Sequence, residues 1–273
     1  MIEQPVAWGL LFLLGIGTGA IAGVLGIGGG LLMVPALTFL GISLVKATAT
    51  SLVGVFLSAL SGSVQNWRKG VLNVRDALTL ALFGIPTAQL GAWLGDRLPE
   101  AWLAFGFALL MVVTIYFMNL KQQLQEKQLQ EKQLQANHLQ EETVEDSSPI
   151  HGLLPVAQIG LLAGVLAGLF GIGGGTVMVP LQMLMLGESI KTAVRTSLGA
   201  IVLIGASGLA QHTWNNNVLW LPGLCLGLGG ILGAQFGTRL LPRLSDRLVN
   251  RLFRLLLVFL AGYMTWKGLT GKG

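Results

Sequence analysis

Charge is what this chain of 273 residues has least of: 11% of them are Asp, Glu, Lys or Arg, against about 25% in ordinary soluble domains. No charged residue occurs between Glu3 and Lys46, between Lys46 and Arg68, between Asp76 and Asp96, or between Arg195 and Arg239. A helix needs about 20 apolar residues to cross the hydrocarbon core, so several of these gaps hold one span or more. Cysteine occurs once, as Cys225 in an apolar run, which removes disulfide frameworks and cysteine-based metal clusters. Carboxylates are missing from the middle of every apolar stretch. All 12 acidic residues lie at or near segment ends or in a central polar stretch, so a buried proton relay or a sodium cage has no support. The N-terminus offers Glu3 and no basic region, and the apolar stretch after it outruns a signal peptide, so cleavage is not expected. Together these absences exclude a soluble enzyme, a nucleic-acid module and a secreted disulfide scaffold.

What remains is apolar. The hydrophobic set makes up 53% of the chain and mean hydropathy is +0.71, the composition of a polytopic membrane protein. The net charge of +5 sits beside apolar segments, where contact with lipid headgroups explains it better than nucleic acid does. The lipid bilayer is therefore the first partner. The helical reading rests on segment length, since a barrel would show short alternating segments instead.

The most informative positive feature is internal repetition. Gly15, Gly19, Gly23 and Gly26-Ile27-Gly28-Gly29-Gly30 recur as Gly160, Gly164, Gly168 and Gly171-Ile172-Gly173-Gly174-Gly175. Met33-Val34-Pro35 matches Met178-Val179-Pro180, and Lys46 matches Lys191. One inserted residue later, Thr50-Ser51-Leu52 aligns with Thr196-Ser197-Leu198, Ser61-Gly62 with Ser207-Gly208, Gln65 with Gln211, and Ala88-Gln89 with Ala234-Gln235. The pattern predicts an all-α membrane bundle of two homologous halves, residues 1–120 and 150–273, joined by a polar linker, 121–149. Each half holds about four spans, roughly 6–25, 47–67, 77–95 and 101–120, then 153–170, 196–213, 219–238 and 250–267. The linker repeats Gln-Glu-Lys-Gln-Leu, a five-residue period that forms no continuous apolar stripe. It reads as a solvated helical or partly disordered connection; the sharper alternative is a docking surface on a membrane scaffold or sensor.

The single glycines at 15, 19, 23, 160, 164 and 168 fall on one face of each first helix, the spacing that lets two helices approach closely in lipid. The Gly-Ile-Gly-Gly-Gly runs differ. Four glycines in five positions weaken a helix by nearly 1 kcal/mol each, and Pro35 and Pro180 follow. The first helix of each half is expected to break there. Interrupted segments at matching places in two halves are the best sequence pointer to a transporter site, and amides exposed at a break suit an anion. The alternative is a pair of tight turns that touch no ligand. The runs also resemble phosphate loops, but neither is followed by Gly-Lys-Ser/Thr or by a ribose-binding acid. No nucleotide, metal or other cofactor is expected.

Two halves that each carry Gly-x-Gly-Gly-Gly, Met-Val-Pro, a Lys and Thr-Ser-Leu, with Ala88-Gln89-Leu90-Gly91-Ala92 later in the first, resemble the TauE/SafE sulfite exporter family. The similarity covers nearly the whole chain except the linker. It implies a bacterial-type inner-membrane permease for anions, in a family associated with sulfite, thiosulfate and organosulfonates.

The expected substrate site comprises Gly28, Gly29, Gly30, Thr50 and Ser51 with Gly173, Gly174, Gly175, Thr196 and Ser197. Hydroxyls and amides donate without adding negative charge, as a small anionic substrate requires. For the Thr and Ser pairs, interhelical hydrogen bonding is an equal alternative; for Gln65, Gln211, Gln89 and Gln235 it is the preferred one. Lys46 and Lys191 either draw anions in or snorkel at helix ends. His212 reads as a satisfied histidine near an interface rather than a proton carrier. Arg239, Arg243, Arg247, Arg251 and Arg254 read as a cytoplasmic topology signal. Four crossings per half make parallel repeats, whereas a re-entrant crossing after each glycine break makes inverted ones. The sequence leaves room for a homo-oligomer without specifying one. An intramembrane enzyme would need a catalytic constellation at span depth, and the sequence supplies none.

Overall fold

A computed structural model describes residues 5–116 and 152–270; the linker 121–149 lies outside them. The described residues form helices α1 (Pro5–Leu25), α2 (Gly30–Phe39), α3 (Leu44–Arg68), α4 (Val74–Gly95), α5 (Glu100–Tyr116), α6 (Leu153–Phe170), α7 (Gly175–Met185), α8 (Ile190–Trp214), α9 (Trp220–Leu240) and α10 (Asp246–Thr270). A single 3₁₀ turn, Leu241–Arg243, precedes α10. Seven of these, α1, α3, α4, α6, α8, α9 and α10, are long and apolar enough to cross a membrane. Polar side chains meet the free N–H groups at several of their starts. Glu100 accepts from Leu44 N–H at 3.1 Å at the start of α3. Asn73 accepts from Asp76 N–H at the start of α4, and Ser189 from Thr192 N–H at the start of α8.

Small residues set the packing. A Cβ on Gly15, Gly19 or Gly23 would run into the α9 backbone at Leu226, Gly230 and Ala234 in turn. On Gly160, Gly164 or Gly168 it would run into the α4 backbone at Leu80, Gly84 and Ala88. Each series advances in step, so α1 lies parallel to α9 and α6 parallel to α4. Ser61 Oγ donates to the Ile231 carbonyl at 3.0 Å, and Ser207 Oγ to that of Ile85 at 2.8 Å. These bonds hold α3 along α9 and α8 along α4. Two three-helix groups result, α1/α3/α9 and α4/α6/α8. They meet where α3 and α8 cross antiparallel, with Leu52 beside Gly208, Val55 beside Gly205 and Leu198 beside Gly62. These groups do not follow chain order, since α1 and α3 join α9 while α4 joins α6 and α8. Of the seven spans, α3 and α8 are the most enclosed and α10 the least.

Because α1 and α3 point the same way, α2 must carry the chain back between them; α7 does the same between α6 and α8. Ten residues of helix, as in α2, measure about 15 Å, half of the roughly 30 Å hydrocarbon core. Each short helix is therefore a re-entrant half-crossing that starts near the middle of the bundle.

Candidate functional site

The helices stop where the glycines begin. In the first break Gly26, Gly28 and Gly29 have φ of 72°, 72° and 90°; in the second Gly171, Gly173 and Gly174 have 68°, 73° and 78°. Side chains rarely adopt that left-handed region, and three such residues in four reverse the chain. Gly29 and Gly174 then stand at the N-cap positions of α2 and α7, with no side chain capping either helix.

The two breaks meet. A Cβ on Gly30 would strike the Gly171 carbonyl and Ile172, and one on Gly175 would strike the Gly26 carbonyl and Ile27. Val55 and Ile201 lie beside both central glycines, 3.0 and 3.1 Å from a Cβ placed on Gly28, and 2.7 and 2.9 Å from one on Gly173. Both are central in their helices, so the junction is at mid-bundle depth. Every residue of the two runs is buried. Among the described residues, the N–H groups of Gly28, Gly29, Gly30 and Leu31 make no hydrogen bond within 3.5 Å to another backbone group, nor do those of Ile172, Gly173 and Gly174. Buried amides without partners are rare and costly. Here two runs of them converge with the positive ends of two short helix dipoles.

The hydroxyl pairs divide. Ser51 Oγ donates to the Gly171 carbonyl at 2.9 Å and to Thr48 at 2.7 Å, which ties α3 to the opposite break. Thr50 Oγ1 accepts from Leu219 N–H at 3.0 Å, at the start of α9 and away from the breaks. Ser197 Oγ accepts from Gln182 Nε2 at 2.7 Å. Thr196 Oγ1 is fully buried and has no hydrogen-bond partner, and the same holds for Thr176 Oγ1. Sequence reasoning missed Thr176, Gln182 and Ser58, whose Oγ donates to the Gly28 carbonyl at 2.8 Å. Their counterparts in the other half are Leu31, Leu37 and Ile204, so a search for matched polar pairs passes over them. A polar residue inside an apolar segment was the available signal.

His212 is buried, with Nε2 3.1 Å from the Gly168 carbonyl and Nδ1 3.4 Å from Asp96 Oδ1. Asp96, just beyond the end of α4, also accepts from Asn215 and Asn217. Burial pushes the Asp96 carboxyl up, but hydrogen bonds from His212 and Asn215, the His212 charge and the Asn217 bond outweigh it and hold the group below its ordinary value. Lys46 is exposed and Lys191 half-buried, each in the first turn of its helix. The antiparallel crossing of α3 and α8 puts them at opposite ends of the bundle. Among the described residues, no cluster of His, Cys, Asp or Glu could hold a metal ion.

Comparison with known proteins places the chain among membrane transporters. The chain is 25% identical over 268 residues to the probable membrane transporter protein YunE of Bacillus subtilis (strain 168), covering 95% of this chain and 98% of that one. It is 28% identical over 260 residues to a probable membrane transporter protein of Xylella fastidiosa (strain Temecula1), covering 92% and 94%. A probable membrane transporter protein of Methanocaldococcus jannaschii is 26% identical over 214 residues, 76% of this chain and 73% of that one. No solved structure matches. The profile of the sulfite exporter TauE/SafE family matches residues 11–264. This chain is a multi-pass membrane transporter and belongs to the sulfite exporter TauE/SafE family.

Proposed function

We propose that this transporter carries a small oxyanion, sulfite or another sulfur oxyanion, through the junction of the two glycine breaks. One observation carries the reading: two runs of unpaired backbone amides converge at mid-bundle depth. Amide donors and helix N-termini stabilise negative oxygen without the desolvation cost of a buried cation. The hydroxyls of Thr196 and Ser197 complete the donor set around Gly28–Gly30 and Gly173–Gly175, while Ser51, whose proton goes to the Gly171 carbonyl, holds the second break in place. Thr50, whose oxygen accepts from Leu219 away from the breaks, positions the start of α9.

On this reading the chain is two homologous halves, 1–120 and 150–273, inverted relative to each other and joined by the linker 121–149. Each half contributes one break. The bodies that rock are the packed groups α1/α3/α9 and α4/α6/α8, with α3 and α8 as the seam. Val55 and Ile201, lying against both central glycines, close the junction; parting them admits the anion from one side at a time.

Reconstituted proteoliposomes test this with sulfite, thiosulfate, sulfoacetate, taurine and sulfate, under pH or sodium gradients imposed in turn. The parent should give saturable oxyanion flux, and correctly inserted Gly29→Leu and Gly174→Leu variants should lose it. Variants that transport as well as the parent would remove the site from the breaks.

A further inference from the structure

At the end of the bundle where α9 gives way to α10, a cavity of about 740 Å³ opens between α1, α9 and α10. Its walls are apolar, with Ile21, Val24, Leu25, Phe236, Leu252 and Leu256 prominent among them. Two exceptions stand at its outer end. Arg239, in the last turn of α9, and Arg243, in the 3₁₀ turn, both line it. Both are exposed, and among the described residues neither has an ion-pair partner. The groove has a direction. Leu256 lies ten residues into α10, about 15 Å along its axis, which is one leaflet's share of a roughly 30 Å hydrocarbon core. Cations at the headgroup level above an apolar channel one leaflet deep match the shape and charge of one lipid class.

We propose that this groove is a binding site for an anionic phospholipid, with an acyl chain lying against α1 and α10 and its phosphate on Arg239 and Arg243. A zwitterionic lipid offers the same chain but no net charge to the two guanidiniums. A free phosphate offers the charge and leaves the channel unfilled. The wall includes Val24 and Leu25, the last residues of α1, so a seated lipid braces the helix immediately before the break at Gly26. The inference does not depend on which anion the transporter carries.

The full-length protein in detergent is titrated with phosphatidylglycerol, phosphatidylcholine and glycerol 1-phosphate, and followed by native mass spectrometry and thermal unfolding. Phosphatidylglycerol should be retained and raise the melting temperature more than phosphatidylcholine does. Arg239→Gln with Arg243→Gln should weaken phosphatidylglycerol about 30-fold, from roughly one unit of lipid–cation attraction per Arg, and leave phosphatidylcholine unchanged. Leu252→Trp, on the exposed side of the groove, should weaken both lipids while both Arg remain. Equal retention of the two lipids, or undiminished phosphatidylglycerol binding by the double variant, would overturn the proposal. So would glycerol 1-phosphate reproducing the full stabilisation, which marks a free-anion site. Cross-linking of Leu252→Cys between two copies in native membranes, in a Cys225→Ser background, would assign the groove to a dimer contact and overturn it as well.

Discussion

Substituting alanine for Gly173 separates backbone strain from crowding at the junction. With φ at +73°, a Cβ there forces an L-residue into the left-handed region at about 1–2 kcal/mol. The same Cβ would lie 2.7 Å from Val55 Cγ1 and 2.9 Å from Ile201 Cγ2, an overpacked contact worth about 1–3 kcal/mol. The sum for Gly173→Ala is about 2–5 kcal/mol. Gly41 supplies the control, since its φ is +83° but nothing lies within 4 Å of a Cβ; Gly41→Ala should show the strain alone. Gly28→Ala should fall between the two, because its contacts with Val55 and Ile201 are 3.0 and 3.1 Å. Val55→Ala removes the nearest colliding methyl, so in the double variant with Gly173→Ala the losses should add to less than their sum by about 1 kcal/mol. Reversible unfolding in detergent micelles reads all five variants. Gly173→Ala no worse than Gly41→Ala, or strict additivity with Val55→Ala, would refute the packing of both breaks on one pair of side chains.

Thr196→Val removes a buried hydroxyl that has no protein partner, so stability should change by less than about 1 kcal/mol while oxyanion flux falls at least tenfold; unchanged flux in proteoliposomes contradicts its place in the site. Ser51→Ala loses the bond to the Gly171 carbonyl and should cost about 0.6–1.7 kcal/mol in the same unfolding assay. Asp96 ionises more readily in the folded chain than in the unfolded one, so its contribution is present above the unfolded value and disappears as pH falls through the folded one. Asp96→Asn should therefore lower thermal stability at pH 7, and the gap from the parent should close on acidification below about pH 4; a gap that widens in acid contradicts the sign.

The breaks were legible because glycine in a helix is expensive, and four in five positions admit few explanations. The partner of each glycine stripe was not. Gly15, Gly19 and Gly23 announce a close approach, but only the fold shows α9 making it. Spacing within one helix carries no information about which other helix comes near. The direction of α2 was open for a related reason: ten apolar residues after Gly29 suit either an onward or a returning path. The parallel packing of α1 and α3 on α9 decides it. Matched pairs also misdirected the choice of polar groups. Thr50 and Thr196 look equivalent, yet the start of α9 falls where it uses Thr50, while Thr196 is left unpaired. Gln182 and Ser58 have apolar counterparts, so repetition hid them.

The substrate anion is expected to rest where the two glycine breaks meet. Selenite, a heavier analogue of sulfite with usable anomalous scattering, locates it directly in crystals of the parent protein. An anomalous peak is expected within hydrogen-bond distance of the amides of Gly28–Gly30 and Gly173–Gly175. A peak elsewhere in the bundle, with the breaks empty at a selenite concentration that competes with sulfite flux, would contradict it.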